Sequence, residues 1–246
     1  MKKSIVAALI CAFSLGSAMA AEKAITPAAY SKDFRFSIEK MHEIANSDRL
    51  AWRVFYDKPS EGKDAKWFDA VKKGNLALVK QMVEKGQNLE AKDEASLGQT
   101  ALGWAAFIGY KDIVDYLISE GASLYATDSG DVYNVLKSAV LGGDIRIVKQ
   151  IWGNLAPTWN VNNIEDDGET LLMVAASNDR REVVEFLLSK GADINIKTTT
   201  QDKSLFSYNQ SALSYACDRN LPEMQKLLIK HGAINHRTGK ANCEVK

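Results

Sequence analysis

A chain of 246 residues in which 31 Lys and Arg meet 31 Asp and Glu carries no net charge, which argues against a protein that tracks a phosphate backbone and therefore against a nucleic-acid binder. The only strongly apolar run lies at the N-terminus and is shorter than the about 20 residues a membrane span needs. The length is ample for one elongated core.

Lys2 and Lys3 precede the apolar run Ile5 to Leu15, and Ala18-Met19-Ala20 puts small residues where a signal peptidase reads them before Ala21. Residues 1–20 are thus expected to be a cleaved secretory signal. The mature protein is then periplasmic or secreted, with no membrane insertion. Ile10 is too large for the small residue that precedes a lipidated cysteine, which sets Cys11 aside. Loss of Lys2 and Lys3 leaves 29 basic and 31 acidic side chains, still without a basic excess.

Residues 21–63 hold Phe34, Ile38, Met41, Ile44 and Ala45 at helical spacing, then Leu50, Ala51, Val54 and Phe55, with Ser47 and Asp48 between as breaker or cap. This predicts an N-terminal helical cap, which an array needs over its first unit. Asp57 to Gly62 reads as the loop that ends it.

From residue 64 to residue 237 the chain repeats itself. Turn residues Gly74, Gly109, Gly143, Asp179 and Asn220 lie 35, 34, 36 and 41 residues apart. Each follows a pair of small or apolar residues such as Ala105-Ala106 or Ala175-Ala176. Five positions on comes Val79, Val114, Val148, Val184 or Gln225, and twelve on comes Gly86, Gly121, Leu155, Gly191 or Gly232. Such a unit cannot bury its apolar face alone and must stack on its copies. The small residues let paired helices approach, apolar residues at i, i+3 and i+4 give the second helix a buried stripe, and the glycine after it suits a left-handed helix end.

Two connections are longer than the rest. One, between Trp152 and Asp166, includes Pro157 and Trp159. The other, from Asn195 to Ser211, takes sixteen residues where nine is usual and gains much of Thr198 to Tyr208. Insertions in arrays map to loops, often on the binding side, and Leu205, Phe206 and Tyr208 are the anchors this one offers. Residues 238–246 form a C-terminal tail. Cys217 stands where Ala106 and Ala176 stand, as a buried small residue, and a bond to Cys243 is the alternative.

Catalytic and metal patterns are missing from the sequence. His42, His231 and His236 have no partners at metal or triad spacing. Asp166-Asp167-Gly168 reads as turn chemistry rather than a catalytic carboxylate pair. No cofactor is implied.

The segments Gly98-Gln99-Thr100-Ala101-Leu102-Gly103-Trp104-Ala105-Ala106 and Gly168-Glu169-Thr170-Leu171-Leu172-Met173-Val174-Ala175-Ala176, each followed by a Val-x-x-Leu helix and Gly-Ala, resemble ankyrin repeats. The resemblance implies an all-α solenoid of about five helix-turn-helix repeats with finger loops. Departures are expected to matter. The family's histidine position holds Phe68, Gly103, Lys137, Met173 and Ser214, and its proline position Lys66, Ala101, Val135, Leu171 and Ala212. The Thr–His hydrogen bonds along the stack should be missing and the array less regular.

The resemblance also implies a protein-binding module, not an enzyme. Its concave-face positions are Lys72 and Lys73, Phe107 and Ile108, Leu141 and Gly142, Ser177 and Asn178, Asp218 and Arg219. Phe107, Ile108 and Leu141 would form an apolar anchor inside a polar rim that includes Lys72, Lys73, Asp218 and Arg219. The alternative is that Phe107 and Leu141 pack between repeats, which would move binding to Leu205, Phe206 and Tyr208. Trp104, inside a first helix, is read as core. The exported bacterial relatives the family includes suggest toxin neutralisation or envelope stress protection. The competing reading is an enzyme or accessory domain with its chemistry in residues 21–63 or in the 198–208 insertion.

Overall fold

The computed structural model describes residues 60–94, 98–128, 134–156 and 158–244. The expected signal at residues 1–20 and nearly all of the expected cap at residues 21–63 lie outside them. The described residues form five helix pairs: α1 (Ala65–Lys72) and α2 (Leu76–Glu84), α3 (Ala101–Ile108) and α4 (Lys111–Ser119), α5 (Val135–Gly142) and α6 (Ile145–Leu155), α7 (Leu171–Ser177) and α8 (Arg181–Ser189), α9 (Ala212–Asp218) and α10 (Pro222–Lys230).

Local chemistry sets each pair. Thr100, Asn134, Thr170 and Ser211 cap the first helices, their side chains accepting from the backbone N–H of Gly103, Lys137, Met173 and Ser214. The turn to the second helix requires a left-handed residue. Gly109 supplies it at φ 99°, while Asp179 and Asn220 adopt it at 55° and 51° despite their side chains. Second helices are amphipathic: Ile113, Val114 and Leu117 of α4 are buried, as are Val183, Val184 and Leu187 of α8. In α6 the closing position is Leu155, not glycine, and the helix runs to 11 residues with Leu155 itself buried.

First helices form an inner row and second helices an outer row, and α3 and α5 make the most extensive helix contact. There the backbones nearly touch. A Cβ on Gly142 would collide with the carbonyl oxygens of Phe107 and Ala106. Ala105, Ala106, Ala139, Ala175, Ala176 and Ala216 are fully buried along the inner row, as the small-residue positions predict.

Fingers join the pairs. Strands β1 (Lys92–Asp93) and β2 (Gln99–Thr100) pair antiparallel, and the bridges Thr127–Asn134, Ile164–Thr170 and Asn235–Lys240 mark the later fingers. Asn162 and Asn195 tie each finger to the next: each side-chain NH2 donates to a carbonyl, of Gly191 or Gly232, and each side-chain oxygen accepts from an N–H, of Asp193 or Ile234.

Copies are nonetheless joined by hydrogen bonds along the stack. Other side chains replace the Thr–His pattern: Gln99 Nε2 donates to Ser138 Oγ at 2.8 Å, and Lys137, at a histidine position, reaches Asp167 at 2.5 Å. Both links join one copy to the next. Cys217 is not the free buried residue first expected: it is bonded to Cys243, so α9 holds the tail. Among the described residues no helix is long and apolar enough to cross a membrane.

Candidate protein-binding surface

The inner-row positions expected to face a partner mostly face the protein itself. Phe107 is 6 % exposed and sits edge-on to Trp104 at 6.1 Å between ring centres; Ile108 and Leu141 are 0 % and 3 % exposed. The predicted apolar anchor is therefore core. Trp104 is core as predicted. Its indole N–H donates to Asp93 Oδ2 at 3.0 Å.

The predicted rim needs the same correction at Lys72. Its ammonium is buried, 2.6 Å from Asp93 Oδ2, 2.7 Å from Ser60 Oγ and 4.5 Å from the centre of the Trp104 ring. A finger acid placed over the inner helix has drawn it inward. Lys73 is half-buried with Asp69 3.9 Å away. Ser177 is buried, its hydroxyl donating to Val174 O, and Asn178 donates to the same carbonyl. Gly142 is the backbone contact described above. Arg219 donates to Ser177 O, as Arg180 does to Leu141 O and the Tyr110 hydroxyl to Lys72 O. These residues flank a turn, Tyr110 and Arg180 just after it and Arg219 just before it, and reach back to the preceding inner helix, a stacking role.

At the C-terminal end the surface is more open. Leu205 and Phe206 are 51 % and 54 % exposed, while Tyr208 is half-buried. The loop is held at its base, where Thr198 N donates to Gln210 O and Thr198 Oγ1 to Ser207 O. Phe206 leans on Tyr215 of α9 at 5.9 Å, and Arg237 of the tail lies over its other side at 6.0 Å. Exposed Asp218 accepts from both Arg237 and Gln210. The insertion thus brings together Leu205, Phe206 and Asp218, three of the predicted site residues, and leaves Lys73 at the far end of the array.

Sequence reasoning missed two features. Tyr125 is 61 % exposed on a finger, at the position where other copies carry Glu90, Asn195 and His236; an aromatic among polar residues was the available signal. The second is an acidic cluster on the Ile164–Thr170 finger. Glu165, Asp167 and Glu169 surround the buried Lys137 and the Tyr215 hydroxyl, which donates to Glu169. Burial pushes the Glu165 carboxyl up against the pull of Lys137; burial and then the Asp167 charge push Glu169 up. Burial, with Glu169 beside it, raises the Tyr215 phenol as well. Asp166-Asp167-Gly168 does form a turn, with Gly168 N donating to Glu165 O, and Asp167 also serves as counter-ion to Lys137. Among the described residues no three His, Cys, Asp or Glu side chains are grouped to hold a metal ion. His42 lies outside them, and His236 contacts Asn195 O.

A family model for ankyrin repeats (3 copies) matches residues 67–155 and 131–198, together more than half of the chain. The chain belongs to the ankyrin-repeat family. The chain is 30 % identical over 164 residues, 67 % of its length, to an ankyrin repeat and KH domain-containing protein of Caenorhabditis elegans, of which it covers 6 %. It is 28 % identical over 159 residues, 64 % of its length, to a palmitoyltransferase of Lachancea kluyveri, covering 20 % of that enzyme. It is 48 % identical over 65 residues, 26 % of its length, to human protein phosphatase 1 regulatory subunit 27, covering 41 % of that protein. The chain therefore spans well under half the length of these relatives. Ankyrin repeats bind other proteins, and the family is generally non-enzymatic.

Proposed function

We propose that this ankyrin array of five repeats is an exported, non-enzymatic protein-binding module, with an N-terminal cap before it and its working surface on the finger side of the C-terminal repeats. The exposure of Leu205 and Phe206 carries this reading. Two neighbouring large apolar side chains in water, rimmed by Asp218, Arg237 and Lys203, have the arrangement of a binding anchor, whereas Phe107, Ile108 and Leu141 have no free surface. Export draws support from the signal-like residues 1–20 and from the Cys217–Cys243 bond, since such bonds persist in oxidising compartments. The mature protein is then periplasmic or secreted, and its partner is a protein of that compartment. Neutralising a toxin there, or guarding an envelope process, fits such a binder.

Affinity capture from envelope extract with the native protein and with a Leu205→Ser, Phe206→Ser variant tests the surface. The captured protein should be lost with the variant while thermal stability holds. Equal capture by both would refute the loop as the working surface.

A further inference from the structure

The tail and the inserted loop are one connected assembly. After α10, Asn235 organises a tight turn: its N–H donates to Lys240 O at 2.8 Å, its carbonyl accepts from Gly239 N at 2.7 Å, and its side chain accepts from Arg237 N and donates to Asn242 O. The next residue, Cys243, is bonded to Cys217 in α9. Just before the tail, His236 and Arg237 meet the loop at two places and the end of α9 at one. Arg237 donates to Asp218 at 2.9 Å and lies over the Phe206 ring; Asn209, at the end of the loop, donates to His236 O at 2.6 Å. Gln210 completes the circuit by donating both to Asp218 and to Phe206 O.

The outer half of the loop is otherwise held by turn bonds of its own, Leu205 N to Asp202 O, Tyr208 N to Leu205 O and Thr200 Oγ1 to Ser207 Oγ, and by the Phe206–Tyr215 contact. Residues 199–209 contain no helix or strand, and Leu205 and Phe206 bury only about half their surface. The grips themselves are weak singly. The Arg237–Asp218 pair is partly open to water, with side-chain exposures of 38 % and 29 %, and pairs of this kind hold little on their own. Residues 234 and 236 are also bonded to Ser211 and Asn195, and beyond them the disulfide confines the tail.

We propose that the Cys217–Cys243 bond is a redox latch on the 198–208 loop: an oxidised chain presents Leu205 and Phe206 on a fixed loop, and reduction by a dithiol lets tail and loop go together. The consequence for binding rests on the reading of this loop as the working surface; the latch itself does not. In the reduction, a thiolate of the dithiol attacks one sulfur and the S–S bond breaks. The dithiol's second sulfur then closes a disulfide on the reductant, so two electrons pass to the protein and Cys217 and Cys243 each end as a protonated thiol. The first four helix pairs contain no cysteine and are untouched by the step.

Hydrogen–deuterium exchange of the full chain, oxidised and after treatment with dithiothreitol, tests the latch. Reduction should speed exchange of residues 199–209 and 235–244 by about tenfold or more, a local opening that leaves α1 to α6 unchanged. A Cys217→Ser, Cys243→Ser variant should match the reduced protein and ignore dithiothreitol. Arg237→Ala, with the disulfide intact, should loosen the loop but not the Asn235–Lys240 turn. A tail that opens while the loop keeps its oxidised rate would overturn the latch. So would protection lost throughout α9 and α10, which would make the bond a staple of the last helix pair. If the loop loosens on reduction but the Leu205→Ser, Phe206→Ser variant captures partner as well as the native chain, the latch stands and the loop is not the working surface.

Discussion

Lys72 Nζ lies 2.6 Å from Asp93 Oδ2, and the two side chains are 8 % and 0 % exposed. Asp93 also accepts from Ser60 and from the indole of Trp104, so one carboxylate satisfies three buried donors on three segments. Replacing it by Ala takes the carboxylate from all three, although Lys72 keeps its bond to Ser60 Oγ, and should cost about 3 to 5 kcal/mol, the usual penalty for breaking a buried ion pair from one side. Lys73→Ala, one residue along, should stay within about 0.5 kcal/mol. Urea unfolding midpoints of the two variants measure the contrast; equal losses would mean that Lys72 is not held by Asp93.

Gly142→Ala offers a reversal of the ordinary rule. In a helix interior this change gains up to about 1 kcal/mol. Here the new methyl meets the Phe107 and Ala106 carbonyls of the neighbouring helix, backbone atoms that cannot rotate away. A net loss of about 1 to 3 kcal/mol is expected by overpacking. A melting temperature equal to the native value would show that α3 and α5 can part without penalty.

Ala175→Leu should also cost about 1 to 3 kcal/mol, and it should do so locally. Ala175 is fully buried in α7. Exchange protection should fall in α7 to α10 and in α5 and α6, and least in α1 and α2. Uniform loss from α1 to α10 would contradict a linear array.

The acidic finger predicts a pH dependence whose sign is opposite to that of a salt-bridged carboxylate. Glu165 and Glu169 have raised values in the folded protein, so the folded state binds their protons more tightly than the unfolded chain does. Their contribution is complete at a pH below the ordinary carboxylate value and fades as pH climbs through the raised ones. Asp202 and Glu223, held low by Ser204 and Lys226, act the other way. Stability as a function of pH for native protein and Glu169→Gln separates the two sets. The variant should lose less stability than the native chain between mildly acidic and neutral pH, and parallel curves would refute the assignment.

Recovery of the protein from the envelope or medium should yield a chain that starts at Ala21. N-terminal sequencing decides it, and an intact Met1 on a soluble cytoplasmic protein would remove the export reading.

The repeat frame was legible because it rests on local demands. A left-handed turn needs Gly, Asp or Asn, a buried outer helix needs Val and Leu three and four residues apart, and a capped inner helix needs Thr, Ser or Asn; Gly109, Val114 and Thr100 satisfy these within one copy. The surface was not legible in the same way. Whether Lys72 points out or in depends on Asp93, and whether Tyr215 is free depends on Glu169, 46 residues away. Leu205 and Phe206 stood out in the sequence because an insertion that interrupts a strict period has no stacking duty to fulfil, and both are exposed.

No two links between successive copies join the same residue pair at the same repeat positions. Lys72 with Asp93 joins the first to the second, Gln99 with Ser138 the second to the third, Lys137 with Asp167 the third to the fourth, and Tyr215 with Glu169 the fourth to the fifth. Repetitive chains are prone to gain or lose a unit and to dock out of step with themselves. In this chain such a slip would set an ammonium against a serine or a carboxylate against a glutamine, in places sealed from water. The order and number of the copies are thereby written into their junctions, and shuffling the units would yield a chain with the same helices and no matching seams.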